Sequence, residues 1–99
     1  MKLFKKVKKI HFVGIGGAGM IGIARVLLKK GYKISGSDVV DSSDLQKLRK
    51  DGAKVFIGHK KENIKDSNLL VVSSAIDKNN PELVHAKRQS ITTIPRAEM

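Results

Sequence analysis

A glycine-rich segment at residues 14–19 has the residue types and spacing to bind a phosphate group. Gly14, Gly16 and Gly19 fit the pattern G-x-G-x-x-G between an apolar run and a helical pattern, which is the turn from strand to helix in dinucleotide-type folds. Free N–H groups at the helix start would face a diphosphate along the favourable end of the helix dipole. We expect Gly14 to permit a tight turn, Gly16 to let the backbone approach the anion, and Gly19 to let helix and strand pack closely. The alternative is a glycine-rich turn that serves packing alone.

Polar residues that follow three other predicted strands could complete such a site. Asp38 could accept hydrogen bonds from a ribose or a base edge, or it could be an ordinary turn residue. Residues 73–76 could line a ligand or form a polar turn, and His59 could be a neighbour of the ligand or an exposed loop histidine. His11, inside the first strand, and His85, within a helix, are predicted to be structural.

The groups that define several enzyme classes are missing from the sequence. No G-x-x-x-x-G-K-[ST] motif places a lysine and a hydroxyl for ATP and magnesium. No nucleophile, base and orienting group form a recognisable set, and no carboxylate pair has a metal-ligand context. Since there is no cysteine, disulfides, thiol nucleophiles and cysteine zinc sites are excluded. The residues alone therefore predict binding, with no catalytic residue and no metal site.

The elements that must position these residues alternate between strands and helices. Short apolar runs predict strands, and apolar positions at helical spacing predict helices. Ser43 with Gln46 fits a capping box for the second helix, and Asn80 with Pro81 fits the cap and first position of the third. The predicted strands cover residues 8–13, 32–37, 54–57, 69–73 and 91–94, and the predicted helices cover residues 17–30, 43–50 and 80–89.

This order of elements predicts the fold class. The succession β-α-β-α-β-β-α-β with right-handed crossovers gives an α/β, Rossmann-like fold, an about five-stranded parallel sheet with helices on both faces. We expect a basic tail at residues 1–7, one domain at residues 8–95, and the start of a linker at residues 96–99. Ligands of such sheets bind at the carboxyl ends of the strands. The candidate ligand-binding residues at that edge are Ile15, Gly16, Gly17, Ala18, Gly19, Met20, Ser37, Asp38, His59, Ser73, Ser74, Ala75 and Ile76.

The charge and hydropathy of the sequence indicate which compartment and which partners to expect. The net charge is +11, from 20 Lys and Arg against 9 Asp and Glu, which raises the question of nucleic acid or an anionic membrane. Five lysines fall within residues 1–9, and the others are scattered and not interleaved with aromatic residues, so a solvated face is favoured over a nucleic-acid surface. The uncharged stretch at residues 10–24 is too short to span a bilayer and too rich in glycine for a signal peptide. We expect a cytoplasmic protein that binds neither nucleic acid nor membrane.

Several short strings, taken together and in order, resemble the N-terminal domain of the Mur ligase family of peptidoglycan synthesis. The resemblance extends over residues 8–99, and the conjunction of strings is highly specific although each string is not. The strings are HFVGIGGAGM at residues 11–20, GY at 31–32, SGSD at 35–38, GH at 58–59, SSAI at 73–76, NPE at 80–82 and PRAEM at 95–99.

The resemblance implies a function for the segment. Enzymes of this family have three domains, which hold the UDP part of the substrate, ATP with magnesium, and the incoming amino acid. The implied substrate is UDP-N-acetylmuramate, whose carboxylate is phosphorylated and then attacked by the amine of L-alanine. By this resemblance the N–H groups of residues 16–20 hold the diphosphate, and Asp38 with residues 73–76 surrounds the uridine, with His59 a less certain neighbour. ATP and magnesium would belong to a central domain, so this chain is expected to be inactive alone. We also expect it to be monomeric and to have the central and C-terminal domains of the full-length enzyme as partners.

Two other functions share part of the pattern. A nicotinamide-binding domain of a dehydrogenase or a potassium-channel regulator has the same G-x-G-x-x-G and acidic residue, and the ligand would distinguish it. A basic nucleic-acid-binding module would show an affinity that falls steeply with salt.

Overall fold

The computed structural model describes residues 7–98 and contains a five-stranded, all-parallel sheet. The predicted basic tail therefore lies outside the described residues except for Val7, as does Met99 at the end of the predicted linker. The strands are β1 (Lys9–Val13), β2 (Lys33–Asp38), β3 (Lys54–Ile57), β4 (Leu69–Val72) and β5 (Thr92–Pro95). The helices are α1 (Met20–Lys29), α2 (Ser43–Lys50) and α3 (Pro81–Arg88), with 3-10 turns at Lys61–Ile64 and Arg96–Glu98. The predicted Rossmann-like fold class is confirmed.

The strand order β3-β2-β1-β4-β5 places the first strand at the centre of the sheet. Ile10, Phe12 and Val13 of β1 are fully buried, as expected for a short apolar strand that is covered on both faces. In the register, Val13 lies between Ser37 of β2 and Val72 of β4. The carboxyl ends of the strands thus align at one edge, where the segments after β1, β2, β3 and β4 all emerge.

Helices cover both faces of the sheet and supply its core. On one face, Met20 and Leu27 of α1 and Leu45 of α2 belong to the larger buried apolar cluster. On the other face, Ala86 of α3 and Ile64 belong to a smaller one. Among residues 7–98 no helix is long and apolar enough to cross a membrane.

The two predicted helix caps differ in outcome. For α3 the prediction is confirmed, because the Asn80 side chain accepts the N–H of Glu82 at 2.9 Å and Pro81 is the first helical residue. For α2 the predicted cap is wrong by one residue. Ser42 is extended and its hydroxyl accepts the N–H of Leu45 at 3.2 Å, whereas Ser43 is already helical. Two adjacent serines make the capping pattern ambiguous in the sequence, and in the structure Ser42 accepts the helical N–H.

The predicted role of Gly19 in close helix–strand packing is also wrong. Gly19 is exposed, caps the start of α1, and has a φ of 77°, a left-handed conformation that favours glycine. The close approach occurs instead at Gly36 in β2, where an added Cβ would lie 2.4 Å from Cδ1 of Ile15. The tight turn predicted at Gly14 is confirmed by its φ of 80°. Helix α1 consequently begins at Met20 rather than at residue 17.

Candidate functional site

The glycine-rich segment is held against the end of β2 by backbone and side-chain hydrogen bonds. The N–H groups of Gly14 and Ile15 both donate to the carbonyl of Ser37, at 2.8 and 3.0 Å. The N–H of Gly16 donates to Oδ2 of Asp38 at 2.8 Å. Asp38, which was predicted to contact the ligand, is therefore also an anchor of the loop.

Two backbone donors of the segment remain open to a ligand. Gly17 donates to the carbonyl of Gly14 at 2.9 Å, and Met20 donates to the carbonyl of Gly17 at 3.0 Å. The N–H groups of Ala18 and Gly19 find no acceptor among residues 7–98. They stand at the N-terminus of α1, where the helix dipole favours an anion.

The side chain of Arg96, which was predicted to begin a linker and not to bind the ligand, lies beside these donors. If Gly19 carried a Cβ, that atom would be 3.1 Å from Nη1 of Arg96. No carboxylate of residues 7–98 forms an ion pair with this guanidinium. The 3-10 turn that follows β5 therefore brings a positive charge, unpaired within the described part of the chain, to the start of α1.

A cavity of about 460 Å³ opens beside the segment at the same edge of the sheet. It is lined by Gly14, Gly16, Gly17, Asp38, Val39, His59, Ser73, Ala75, Ile76, Asp77 and Asn80. The structure thus brings together predicted residues from the ends of β1, β2, β3 and β4. Val39, Asp77 and Asn80 were missed, although the cap motif at Asn80 places it beside this edge.

The remaining predicted residues do not line the cavity. Ile15 and Met20 are fully buried in the core, and Ser37 is buried beneath the cavity wall. Ala18, Gly19 and Ser74 are exposed outside it. The hydroxyl of Ser73 accepts the N–H of Ala75 at 3.3 Å, so the segment after β4 is a polar turn that also lines the cavity.

Beneath the cavity lies a buried polar cluster centred on Glu82, a residue that was named above only within the NPE string at residues 80–82. Its Oε1 is 2.6 Å from Nε2 of His11 and 2.7 Å from the hydroxyl of Ser37. Its Oε2 accepts the N–H of Lys60 at 3.1 Å and the amide of Asn63 at 2.8 Å. The side chains of Glu82 and His11 are both fully buried. His11 therefore has the structural role predicted for it.

The pKa of Glu82 is determined by two opposing effects. Burial of the carboxylate raises the pKa, but hydrogen bonding and the charge of His11, with hydrogen bonds from Ser37 and Asn63, hold it below its ordinary value of 4.5. The N-terminus of α3 also favours the negative charge. Glu82 is therefore a carboxylate that only accepts hydrogen bonds at neutral pH.

A central glycine loop, an acidic residue after the second strand and a cavity at the carboxyl edge define a Rossmann-like α/β domain. The chain belongs to the Mur ligase family: the family profile described as "Mur ligase family, catalytic domain" matches residues 9–99. The resemblance seen in the sequence is confirmed.

Relatives and solved structures agree with this assignment. The chain is 56% identical over 94 residues to the UDP-N-acetylmuramate–L-alanine ligase of Sulfurihydrogenibium sp., covering 95% of this chain and 21% of that protein. It is 50% identical over 97 residues to the ligase of the same name from Aquifex aeolicus, covering 98% of this chain and 21% of that protein. The crystal structure of UDP-N-acetylmuramate-alanine ligase from Thermotoga maritima superposes with a TM-score of 0.87 at 34% identity, covering 91% of this chain and 21% of that chain. The chain thus spans about one-fifth of the length of these relatives.

Proposed function

We propose that this chain binds UDP-N-acetylmuramate and is the substrate-holding segment of an ATP-dependent ligase that joins L-alanine to it. The observation that carries the proposal is the open pair of N–H groups at Ala18 and Gly19, with the Arg96 guanidinium beside them and the cavity adjoining. Relatives whose names state this reaction match nearly the whole chain.

The diphosphate is assigned to the start of α1. Ala18 and Gly19 offer backbone donors, and Arg96 offers a charge that can pair with phosphate oxygens. Gly19 has no Cβ that would separate the guanidinium from the backbone. The backbone donors and the guanidinium both attract negative charge, so together they favour a diphosphate over a neutral group.

The nucleoside is assigned to the cavity. Its wall combines apolar surface from Val39 and Ile76 with the polar side chains of Asp38 and His59, the combination expected of a small-molecule site. Both oxygens of Asp38 already accept backbone N–H groups, from Gly16 and from Val39. Each carboxylate oxygen retains a second lone pair for a hydroxyl of the ligand.

ATP and magnesium do not fit the described residues. Among residues 7–98 no group of three histidine or carboxylate side chains could hold a metal ion, and the sequence has no P-loop lysine. The proposed role of this chain in the reaction is thus to bind and orient the UDP-sugar, and no chemical step is assigned to it.

The proposal is tested by titrating the isotope-labelled chain with UDP-N-acetylmuramate, NADH and ATP while following backbone amides. UDP-N-acetylmuramate should shift the amides of Ala18, Gly19, Asp38 and His59, whereas NADH should not. Equal or larger shifts with NADH would favour a nicotinamide-binding domain instead.

Two arginine variants make the test specific to the diphosphate. Arg96→Ala removes the charge beside Gly19, and affinity should fall by about fivefold, the upper range for an exposed ion pair. Arg88→Ala is the matched control, because Arg88 is also exposed but stands at the last turn of α3, toward the opposite edge of the sheet. Equal affinities of the two variants would contradict the assignment of the diphosphate to the start of α1.

A further inference from the structure

We propose that Glu82, acting through Ser37, fixes the proton of the His59 ring on Nδ1. The other ring nitrogen, Nε2, is thereby presented to the cavity as a hydrogen-bond acceptor. The site would then select a nucleoside that offers a hydrogen-bond donor at this place. The inference rests on the proposed function and makes Glu82 a positioning residue, since Glu82 itself does not line the cavity.

The direction of the hydrogen bonds follows from the number of protons available. The hydroxyl of Ser37 is 2.7 Å from Oε1 of Glu82 and 2.8 Å from Nδ1 of His59. A carboxylate only accepts, so the single hydroxyl proton of Ser37 goes to Glu82. The serine oxygen can then only accept from His59, and Nδ1 must carry the ring proton.

The other neighbours of Glu82 keep the hydrogen bonds from His59 to Ser37 and from Ser37 to Glu82 in this direction. The N–H of Lys60 and the amide of Asn63 both donate to Oε2. The same amide nitrogen of Asn63 donates to the carbonyl of Gly58 at 2.9 Å, so the amide cannot turn over without facing two acceptors. A proton on Oε2 of Glu82 would therefore face two donors.

We infer that the second ring nitrogen of His59, Nε2, is available to a ligand in the cavity. Nε2 has no hydrogen-bond partner among residues 7–98, and the His59 ring, whose side chain is 13% exposed, lines the cavity. In the neutral ring with Nδ1 protonated, Nε2 carries a lone pair.

Two groups of a uridine nucleotide could supply the matching donor. Uracil has an N–H at ring position 3, where cytosine has a lone pair, and the ribose has a 2′-hydroxyl group. A donor facing Nε2 gains a hydrogen bond, whereas the cytosine nitrogen would place two lone pairs against each other. Sites built around such a bond discriminate strongly against a ligand that lacks the donor.

The test combines the tautomer of His59 with the binding of three nucleotides. The ¹⁵N shifts of the His59 ring in the 99-residue chain report which nitrogen is protonated, and titrations compare UDP, CDP and 2′-deoxy-UDP. Ser37→Ala removes the hydroxyl group that links Glu82 to His59. Ser35→Ala is the matched control, because Ser35 is also buried on β2 but its hydroxyl meets Nδ1 of His11 at 2.7 Å rather than His59.

We expect the Nδ1–H form in the parent chain and in Ser35→Ala, and loss of that preference in Ser37→Ala. UDP should bind about tenfold tighter than CDP if the base supplies the donor, or about tenfold tighter than 2′-deoxy-UDP if the ribose does. The preference should fall to about threefold or less in Ser37→Ala and persist in Ser35→Ala.

Several results would overturn the inference. These are an Nε2–H ring in the parent chain, equal binding of the three nucleotides, or unchanged selectivity in Ser37→Ala; each leaves the proposed UDP-sugar binding intact. If the parent chain binds none of the nucleotides, the proposed function fails and the inference fails with it. The tautomer and the three titrations of the parent need no variant, so the test stands even if Ser37→Ala does not fold.

Discussion

Gly36→Ala should destabilise the fold because it forces a β-carbon into the glycine loop from below. The new Cβ would lie 2.4 Å from Cδ1, 2.7 Å from Cβ and 3.0 Å from Cγ1 of Ile15. The φ of Gly36 is outside the left-handed region, so alanine suits the backbone there and the penalty is steric.

The size of the penalty depends on which atoms can move. Cδ1 of Ile15 can swing away by a rotamer change, but its Cβ is fixed to the backbone, so the loop must shift by several tenths of an ångström. Ile15 is fully buried and its N–H bonds to the carbonyl of Ser37. Overpacking of this kind costs about 1–3 kcal/mol, a substantial part of the total of about 5–15 kcal/mol for a typical domain.

Urea unfolding of Gly36→Ala and of Gly22→Ala measures the effect against a matched control. Gly22 lies in the first turn of α1, and an added Cβ would meet no atom of residues 7–98 within 4 Å apart from its neighbours along the helix. Alanine there should stabilise by up to about 1 kcal/mol through helix propensity. The two glycine-to-alanine changes should therefore have opposite signs.

A Gly36→Ala chain as stable as the parent would refute this reasoning, because the loop would then have room to spare above β2. If both variants lost the same free energy of unfolding, an added β-carbon would be destabilising at either position, and the contact with Ile15 would not explain the effect of Gly36→Ala.

Four more outcomes are expected. Glu82→Ala leaves buried donors unpaired and should cost about 3–5 kcal/mol in urea unfolding, whereas the exposed Glu62→Ala should stay within about 0.5 kcal/mol; similar losses would contradict the role of the buried cluster. Because folding lowers the pKa of Glu82 from 4.5, its contribution should be complete above that pH and lost as the pH falls through the lowered pKa; acid unfolding midpoints unchanged in Glu82→Gln would speak against this. Gly16→Val places a Cβ 2.9 Å from Oδ2 of Asp38, so UDP-N-acetylmuramate titrations should show at least a tenfold loss, about 1.4 kcal/mol, together with a lower thermal midpoint. The purified chain should neither hydrolyse ATP nor ligate L-alanine, and turnover that survives repurification and scales with its concentration would reveal a missed phosphate site.

The sheet could be predicted from the sequence because its determinants are local. The apolar run before Gly14 and the helical spacing after Gly19 identify β1 and α1, and the strong apolar run of β4 needs no tertiary information. The cap of α3 at Asn80 followed from residue types alone. The cap of α2 did not, because two adjacent serines, Ser42 and Ser43, satisfy the same local rule.

The buried cluster could not be predicted because it joins residues far apart in the chain. Glu82 follows a helix cap, where an acid is usually exposed and favourable to the dipole. Its partner His11 is 71 positions away in the sequence. A histidine in the central strand of a covered sheet does require a polar partner. From that requirement one can predict that His11 has a polar partner, but not which residue it is.

The end of β2 connects the two halves of the proposed site, and this limits which variants can separate binding from folding. The Ser37 carbonyl holds the glycine loop, its hydroxyl joins Glu82 to His59, and the neighbouring Asp38 anchors Gly16. A change of the Asp38 side chain therefore acts on the loop and on the cavity together, whereas Ser37→Ala removes the hydroxyl but leaves the carbonyl that holds the loop. Arg96 makes no such internal bond among residues 7–98. A change at Arg96 should therefore alter affinity while the unfolding free energy stays near that of the parent.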